Sequence, residues 1–419
     1  MKRFGLFFLL TAVTLLSSAE FCQAQFTISG EFRPRAEFRD GYRTLTDAST
    51  EPAAFISQRS RLNLHYKDTF LETHMALQDV RVWGDEVHLQ DIPSTALHEA
   101  WGKIRFSANW ALKLGRQELV YGNHRLLGNV NWTQQARSHD ALVLQWEPGD
   151  WRIDLGGAYN QMQENITGRD YTLNNYKTLG FIWVEKAFSE DLKISLAGIT
   201  DGFQETDTAK HVNFRYTTGP VIHYTPGNLI FTGEGYGQTG ETQSGVDLTA
   251  YFFSVNAGYQ QMGFTAKVGI DYVSGTDAGT TSESHTFSTL YATNHKFYGL
   301  MDHFLNIRND TRNGGLKDVY LQTSYQLSEK TGINLDGHYF SLANDITNPN
   351  NPRENLDRNL GFEVDGSCSY TINEVVQIKG GYSFLIPSKS LEALKGGNAD
   401  HWQHWGWVMI QMKPTFMKK

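Results

Sequence analysis

The fold of this chain is decided by the stretch Gln25-Phe-Thr-Ile-Ser-Gly-Glu-Phe-Arg-Pro-Arg-Ala-Glu-Phe-Arg39. From Phe26 to Phe38 every second residue is apolar, glycine or proline, and the residues between are polar or charged. Because successive side chains of a strand point to opposite faces, this alternation predicts a β-strand with one apolar and one charged face. Pro34 lacks an N–H, so we expect a bulge or weak pairing there.

Comparable alternating stretches recur to the end of the chain, and no stretch of similar length has the helical period. We place 18 strands near 25–39, 55–67, 69–82, 95–107, 110–119, 138–148, 150–162, 174–187, 191–202, 210–225, 228–239, 246–261, 263–275, 316–328, 331–343, 357–371, 374–386 and 401–416.

The connections between these strands alternate in length. Tight turns such as Lys67-Asp68 and Pro148-Gly149 follow the even-numbered strands, whereas longer polar segments follow the odd-numbered ones. An even strand count with short periplasmic turns and long extracellular loops is typical of outer-membrane barrels. The prediction is an all-β fold, a transmembrane antiparallel β-barrel of about 18 strands, in the outer membrane of a Gram-negative bacterium.

The physics of the bilayer supports closure of the sheet. Every backbone polar group in hydrocarbon needs an internal partner, and an open sheet leaves one edge unpaired. Turning Arg33 and Arg35 toward lipid would cost roughly 2–4 kcal/mol each at the midplane, so the charged face must be the lumen. Trp110, Trp146, Trp151 and Trp183 lie near predicted strand ends and are interpreted as an aromatic girdle at the membrane interfaces.

The first 24 residues are predicted to be a secretory signal peptide that is removed. Lys2 and Arg3 precede an apolar run at 4–16, and cleavage after Ala24 fits, with Ala19 as the alternative. The domain expected to remain is the barrel at 25–419. Removal leaves 35 basic and 44 acidic residues, a net charge of −9. That balance argues against nucleic acid as a partner.

Arginine is concentrated in the first part of the mature chain, where 12 of the 19 arginines lie between 25 and 152. A ring of cations is how a pore selects anions, but the same arginines could pair with acidic residues in a wall ladder, and both interpretations stay open. The candidate residues along the solute path are Arg33, Arg35, Arg39, Arg59, Arg61, Lys103, Arg105, Arg116, Arg125, Arg137, Asp140 and Arg152.

The longest loop, 276–315, contains an apolar and aromatic cluster that is unusual for an exposed segment. It is interpreted either as a constriction folded into the pore or as a cap on the rim. Its candidate residues are His295, Lys296, Tyr298 and Asp302. No catalytic motif, phosphate loop or metal-ligand spacing is evident, so we expect no enzyme, no cofactor and no metal site.

Two parts of the sequence resemble a known family. Leu112-Lys-Leu-Gly-Arg116-Gln-Glu118, followed by Tyr121-Gly122, Arg125-Leu126, Asn131-Trp132, Gln135, Arg137 and Asp140-Ala141, resembles the alginate-export porins. Thr293-Asn-His-Lys-Phe-Tyr-Gly299 with Met301-Asp302 resembles the Bacteroidetes-type members.

The resemblance implies an 18-stranded barrel whose Arg- and Lys-lined lumen passes an anionic polyuronate, with loops acting as gates. By position, Arg116, Arg125, Arg137 and Asp140 are the residues carried over. Arg116 shares its parity with Leu112 and Leu114, which should face lipid, so either a bulge near Gly115 or a position beyond the hydrocarbon is required.

The sequence therefore predicts a passive, anion-preferring channel for an acidic polysaccharide or oligosaccharide, such as alginate. The surplus of arginine in the first six or seven strands places the expected anion site on one wall of the pore. The alternatives are a general or small-solute porin, a loop-based binding or adhesion platform, and an outer-membrane hydrolase. Expected partners are membrane lipids, the anionic sugar solute and periplasmic proteins that handle the polysaccharide.

Overall fold

A computed structural model describes residues 24–89, 94–169, 171 and 175–419, so almost all of the predicted signal peptide lies outside the described residues. Eighteen antiparallel strands form a closed barrel, as predicted. The first strand pairs with the second on one side and with the last on the other, which closes the sheet. The barrel strands are β1 (Gln25–Asp40), β2 (Ala53–Lys67), β3 (Leu71–Val82), β4 (Thr95–Arg105), β5 (Trp110–Gln117), β6 (His139–Trp146), β7 (Trp151–Tyr159), β8 (Thr178–Ala187), β9 (Leu192–Phe203), β10 (Asn213–Tyr224), β11 (Leu229–Glu241), β12 (Asp247–Gln261), β13 (Phe264–Val273), β14 (Leu316–Ser328), β15 (Thr331–Ser341), β16 (Asn359–Thr371), β17 (Val376–Pro387) and β18 (Gln403–Met412).

Short elements supplement the barrel. Thr415–Lys418 continues past β18 and pairs with β1, while Glu283–Ser284 adds to β12. Thr347–Asn348 and Asn351–Asn355 form a separate hairpin. The helical segments are Asn294–Lys296, Ile307–Asp310 and Lys389–Lys395. Among the described residues, no helix is long and apolar enough to cross a membrane.

The two ends of the barrel differ in the length of their connections. The turns after even-numbered strands run from two residues (262–263) to four, whereas the loops after odd-numbered strands run from five residues (242–246) to 42 (274–315). We call these the short-turn end and the long-loop end.

The alternation read from the sequence sorts side chains between the lumen and the outside. Leu62, Leu155, Val268, Leu335 and Val408 lie on the outer face and are exposed, as the lipid-facing residues of a barrel should be. In β1, the pairing with β18 runs through Phe32 and Met412 and resumes at Arg35 and Met409, so the ladder skips Pro34 as expected.

Three of the four tryptophans that were predicted to form an aromatic girdle lie at the short-turn end of the barrel. Trp110 and Trp146 stack at the short-turn end with ring centroids 5.6 Å apart. Trp151, the first residue of β7, is exposed at the same end. Trp183 does not belong to this set, because it is buried in the lumen and its ring packs 5.6 Å from Tyr121. The prediction for Trp183 was wrong because proximity to a strand end does not fix which face a side chain takes.

Candidate functional site

The loop between β5 and β6, loop 118–138, folds into the lumen and covers the arginine-rich wall. Arg33 donates to the carbonyl oxygens of Asn131 and Thr133, both at 2.9 Å, and to the side chain of Gln134. Arg35 donates to the carbonyl of Trp132 at 2.7 Å, with its guanidinium 4.0 Å from the indole centroid. The five-donor guanidinium suits this task, since the loop carbonyls have no strand partner.

The same wall also contains the carboxylates that balance its charge. Arg59 pairs with Glu31 at 2.8 Å, and Arg35 and Arg39 both pair with Glu37 at 2.8 Å. Arg33, Arg35 and Arg59 are at most 5% exposed. These three arginines therefore bind the loop and neighbouring wall residues. The prediction that they form an open anion site on this wall was wrong, because loop 118–138 covers them.

Nearer the short-turn end, the remaining wall candidates are less buried. Arg61 donates to Gln78 at 2.8 Å, Arg105 pairs with Glu72, and Arg152 pairs with Asp154 at 2.7 Å. Lys103 is partly exposed, and within the described residues no carboxylate lies within 4.0 Å of its ammonium. This part of the lumen thus combines paired arginines with at least one unpaired cation.

Arg125 anchors loop 118–138 to the opposite wall. Its guanidinium lies 2.7 Å from Asp271 and 4.0 Å from Glu234, and its carbon lies 3.5 Å from the ring centroid of Phe297. Burial opposes the charge of Arg125, but the two carboxylates outweigh that effect and raise the pKa of the group. Arg125 is therefore a permanent buried cation.

The longest loop, 274–315, also packs inside the barrel. Tyr298, Met301 and Phe304 are almost fully buried. The backbone N–H of Met301 donates to Glu363 at 2.8 Å and that of Leu300 donates to Asp365 at 3.1 Å, so two wall carboxylates hold the loop. These contacts favour the constriction interpretation over the rim cap.

The four candidate residues of this loop make different contacts. His295 Nδ1 lies 2.7 Å from Asp302, and Tyr42 donates to the same carboxylate. Tyr298 accepts a 3.1 Å hydrogen bond from Arg125. Lys296 donates to the carbonyl of Asn123 at 3.1 Å, and burial lowers the pKa of its ammonium. Lys296 also lines a cavity of the lumen.

The two inward loops bind each other. The N–H of Gly128 donates to Tyr291 at 2.9 Å, the N–H of Tyr291 donates to Leu126 at 3.0 Å, and Arg137 donates to the carbonyl of Ala292 at 3.2 Å. Loops 118–138 and 274–315 therefore form one assembly across the lumen.

Cavities remain on both sides of this assembly. A cavity of about 360 Å³ at the long-loop end is lined by the three arginines Arg137, Arg215 and Arg308 and by one carboxylate, Glu241. A second cavity of about 270 Å³ lies along the lumen and is lined by Arg125, Lys267 and Lys296, together with Glu234 and Asp271. Each cavity is lined by more cations than carboxylates.

The family model for alginate export matches residues 24–387. The chain belongs to the alginate export family. This assignment and the closed 18-stranded barrel make it a channel of the Gram-negative outer membrane. The short-turn end is then periplasmic and the long-loop end extracellular.

Solved porins share the fold of this alginate export family member. OccAB1 of Acinetobacter baumannii is 12% identical, with 96% of this chain and 100% of that chain covered and a TM-score of 0.64. A BenF-like porin of Pseudomonas fluorescens Pf-5 is 12% identical, covering 93% and 99%, with a TM-score of 0.62. OpdK of Pseudomonas aeruginosa, solved with vanillate, is 11% identical, covering 94% and 99%, with a TM-score of 0.58. No curated protein matches the sequence.

Two residues carried over from the family motif do not face the lumen. Arg116 pairs across the sheet with Asp140, and their side chains form a 3.0 Å ion pair in which Arg116 is 40% and Asp140 is 64% exposed. The pairing of β5 shows no register shift at Gly115, so Arg116 keeps the outward parity of Leu112 and Leu114. The lumen position carried over from the motif was wrong for this pair, because a motif does not fix the face of a strand. The predicted bulge near Gly115 is absent, and the outward parity indicated by the alternation is confirmed.

Several residues that line the cavities were not identified from the sequence. All three of Arg215, Lys267 and Arg308 lie outside the arginine-rich segment. The alternation of β10 could have indicated Arg215, and that of β13 could have indicated Lys267. The inward fold of loop 118–138 had a weaker signal, namely its length and the buried residues Leu126 and Leu127.

Proposed function

We propose that this outer-membrane channel is passive and prefers anions, and that its solute is an acidic polysaccharide or oligosaccharide of the alginate type. No catalytic step is part of this proposal. The solute would pass between cavities lined by arginine and lysine, since cation rings favour anions and guanidinium groups bind carboxylates in a bidentate way.

The observation that carries the proposal is the charge of the two cavities. Three cations and one carboxylate line the extracellular cavity, where Arg215 is also paired with the buried Asp201 at 2.5 Å, so one cation is in surplus. Three cations and two carboxylates line the lumenal cavity, again a surplus of one. Within the described residues, no carboxylate lies within 4.0 Å of the ammonium of Lys267 or Lys296. The chain as a whole is acidic, so a local excess of cations is needed to draw a polyanion.

Planar-bilayer recording on the refolded protein tests this proposal. In a KCl gradient, the expected reversal potential favours chloride, and an added oligouronate is expected to block the current in a voltage-dependent way. Cation preference without block would overturn the proposal. Electrostatic selectivity should weaken as salt rises, because the Debye length falls to about 3 Å at 1 M.

Charge-neutralising variants locate the selectivity. Lys267→Gln and Lys296→Gln are each expected to move the reversal potential toward zero, because each removes an unpaired cation from the lumenal cavity. Arg358→Gln is the matched control, since Arg358 is exposed and already paired with Asp345 at 2.6 Å. An equal shift in the control would show that the cavity charges do not set selectivity.

The size of the cavities supports a second candidate, a channel for a small organic anion. Cavities of about 360 and 270 Å³ match a small molecule better than a polymer unless the loops move. OpdK, which shares the fold, was solved with the small carboxylate vanillate. Current carried by monomeric uronate without block by longer oligomers would favour this candidate.

A further inference from the structure

A β-bulge in β4 places two potential metal ligands side by side on the lumen face. β3 pairs with β4 through Ala76 and Glu99 and then through Leu77 and Leu97, so His98 is an extra residue in the ladder. A bulge redirects side chains that would otherwise alternate. His98 is buried, and the side chain of its neighbour Glu99 accepts a hydrogen bond from the lumenal Trp101.

A third ligand comes from loop 118–138 at its first residue. Glu118 follows β5 directly, and its carboxylate lies 2.9 Å from His98 Nε2. One ligand atom from each of His98, Glu99 and Glu118 lies within 4.8 Å of the other two. Atoms at this separation can bind one ion with modest adjustment, since zinc ligands lie about 2.0–2.2 Å from the metal.

The ligands are oriented by a second set of hydrogen bonds. Glu99 Oε1 accepts from the indole of Trp101 and from the backbone N–H of Glu118, both at 3.1 Å. Glu118 Oε2 accepts from Asn129 at 2.6 Å. Glu99 Oε2 lies 3.6 Å from His74, beyond hydrogen-bond distance, which makes it available to an ion and places His74 as a nearby fourth ligand. Outer-shell contacts of this kind are characteristic of metal sites.

The ligand chemistry selects the type of ion. One or two imidazoles with two carboxylates suit four-coordinate zinc, whereas Ca²⁺ takes six to eight oxygen ligands. Arg61 and Lys113 interact electrostatically with the same carboxylates and offset their charge. The imidazole bond, rather than excess negative charge, would therefore determine affinity.

We propose that His98, Glu99 and Glu118 form a zinc site that ties the base of loop 118–138 to β4. Through this loop, the ion would fix the start of the segment that carries Arg125 and Arg137. The proposal does not depend on the solute of the channel, since the ligands lie outside both cavities described above.

Zinc binding to the purified mature barrel in detergent, without a histidine tag, tests the site. After equilibrium dialysis against Zn²⁺ alone, we expect one zinc per barrel. His98→Asn and Glu118→Gln should each weaken binding by about 10- to 100-fold or more, as loss of site contacts does elsewhere. His211→Asn is the control, because His211 is exposed in another loop.

The outcomes separate clearly. No stoichiometric zinc in the wild type, or unchanged binding in both ligand variants, overturns the proposal. Folding of each variant is checked by the heat-dependent mobility of the barrel on gels. If a variant does not fold, anomalous diffraction of wild-type crystals at the zinc edge decides: a peak about 2.0–2.1 Å from His98 Nε2 supports the site, and its absence at that position overturns it.

Discussion

Arg125 in loop 118–138 and Asp271 on β13 form a 2.7 Å ion pair whose two side chains are 4% and 1% exposed. The pair crosses from the loop assembly to the barrel wall, and Glu234 on β11 adds a second carboxylate at 4.0 Å. A buried pair is costly to break because the remaining partner keeps its desolvation penalty. Arg125 therefore holds loop 118–138 to this wall, while Arg33 and Arg35 hold it to the wall of β1.

Replacing Arg125 with methionine should destabilise the folded state strongly. Asp271 and Glu234 would be left without their cation, and loss of one partner of a buried pair typically costs about 3–5 kcal/mol. Urea unfolding of the refolded barrel measures the effect. Arg358→Met is the control, since removal of an exposed pair is expected to cost no more than about 1 kcal/mol. Equal effects in the two variants would contradict the anchoring role.

A methyl group at Gly299 should release loop 274–315 from the wall. Gly299 has a φ of +76°, and an added Cβ would lie 2.5 Å from the carboxylate of Glu363, which also holds the N–H of Met301. We expect Gly299→Ala to increase single-channel conductance, because the added Cβ displaces the Glu363 carboxylate from the N–H of Met301 and weakens the hold of the wall on the loop. Gly279→Ala is the matched control: its φ is +85°, but nothing lies within 4 Å of its added Cβ. An unchanged conductance in Gly299→Ala would show that the loop does not limit the current.

The barrel could be predicted from the sequence because its signals are local. Alternation in β1 and the length of each turn depend on neighbouring residues alone, and closure follows because a sheet edge in hydrocarbon has no hydrogen-bond partner. The weak pairing at Pro34 could be predicted for the same reason, since its missing N–H removes a hydrogen bond at one point of one strand pair.

The interior could not be predicted because it depends on contacts between distant parts of the chain. The buried ends of Arg33 and Arg35 meet loop carbonyls about 100 positions away, which no periodicity reveals. The cluster of His98, Glu99 and Glu118 shows no metal-ligand spacing, because a bulge and a neighbouring strand bring it together. The lumen position of Arg116 came from the motif alone, whereas the local alternation of β5 already indicated the outer face.

Removal of the Arg116–Asp140 pair should leave ion selectivity unchanged. Both side chains are exposed on the outer face and pair with each other, so we expect them to add little net charge to the lumen. We expect Arg116→Gln to retain the wild-type reversal potential and to change the free energy of unfolding by less than about 1 kcal/mol. Arg137→Gln is the comparison, because Arg137 lines the extracellular cavity. A loss of anion preference in Arg116→Gln would return this residue to the solute path.

Acid should loosen loop 274–315 through His303. This side chain is fully buried, donates through Nε2 to the carbonyl of Gly41 at 2.8 Å, and has its pKa lowered to about 3 by burial, with Lys395 adding to the effect. The unfolded histidine binds a proton below pH of about 6.5, whereas the folded one stays neutral down to about 3, so stability falls as pH decreases across that window. The expected slope of the free energy of unfolding from this group is about 1.4 kcal/mol per pH unit.

Urea unfolding between pH 7 and 4.5 measures this slope, and His303→Gln, which keeps a donor for Gly41, should flatten the pH dependence. The same slope in wild type and variant would assign the acid sensitivity to other groups.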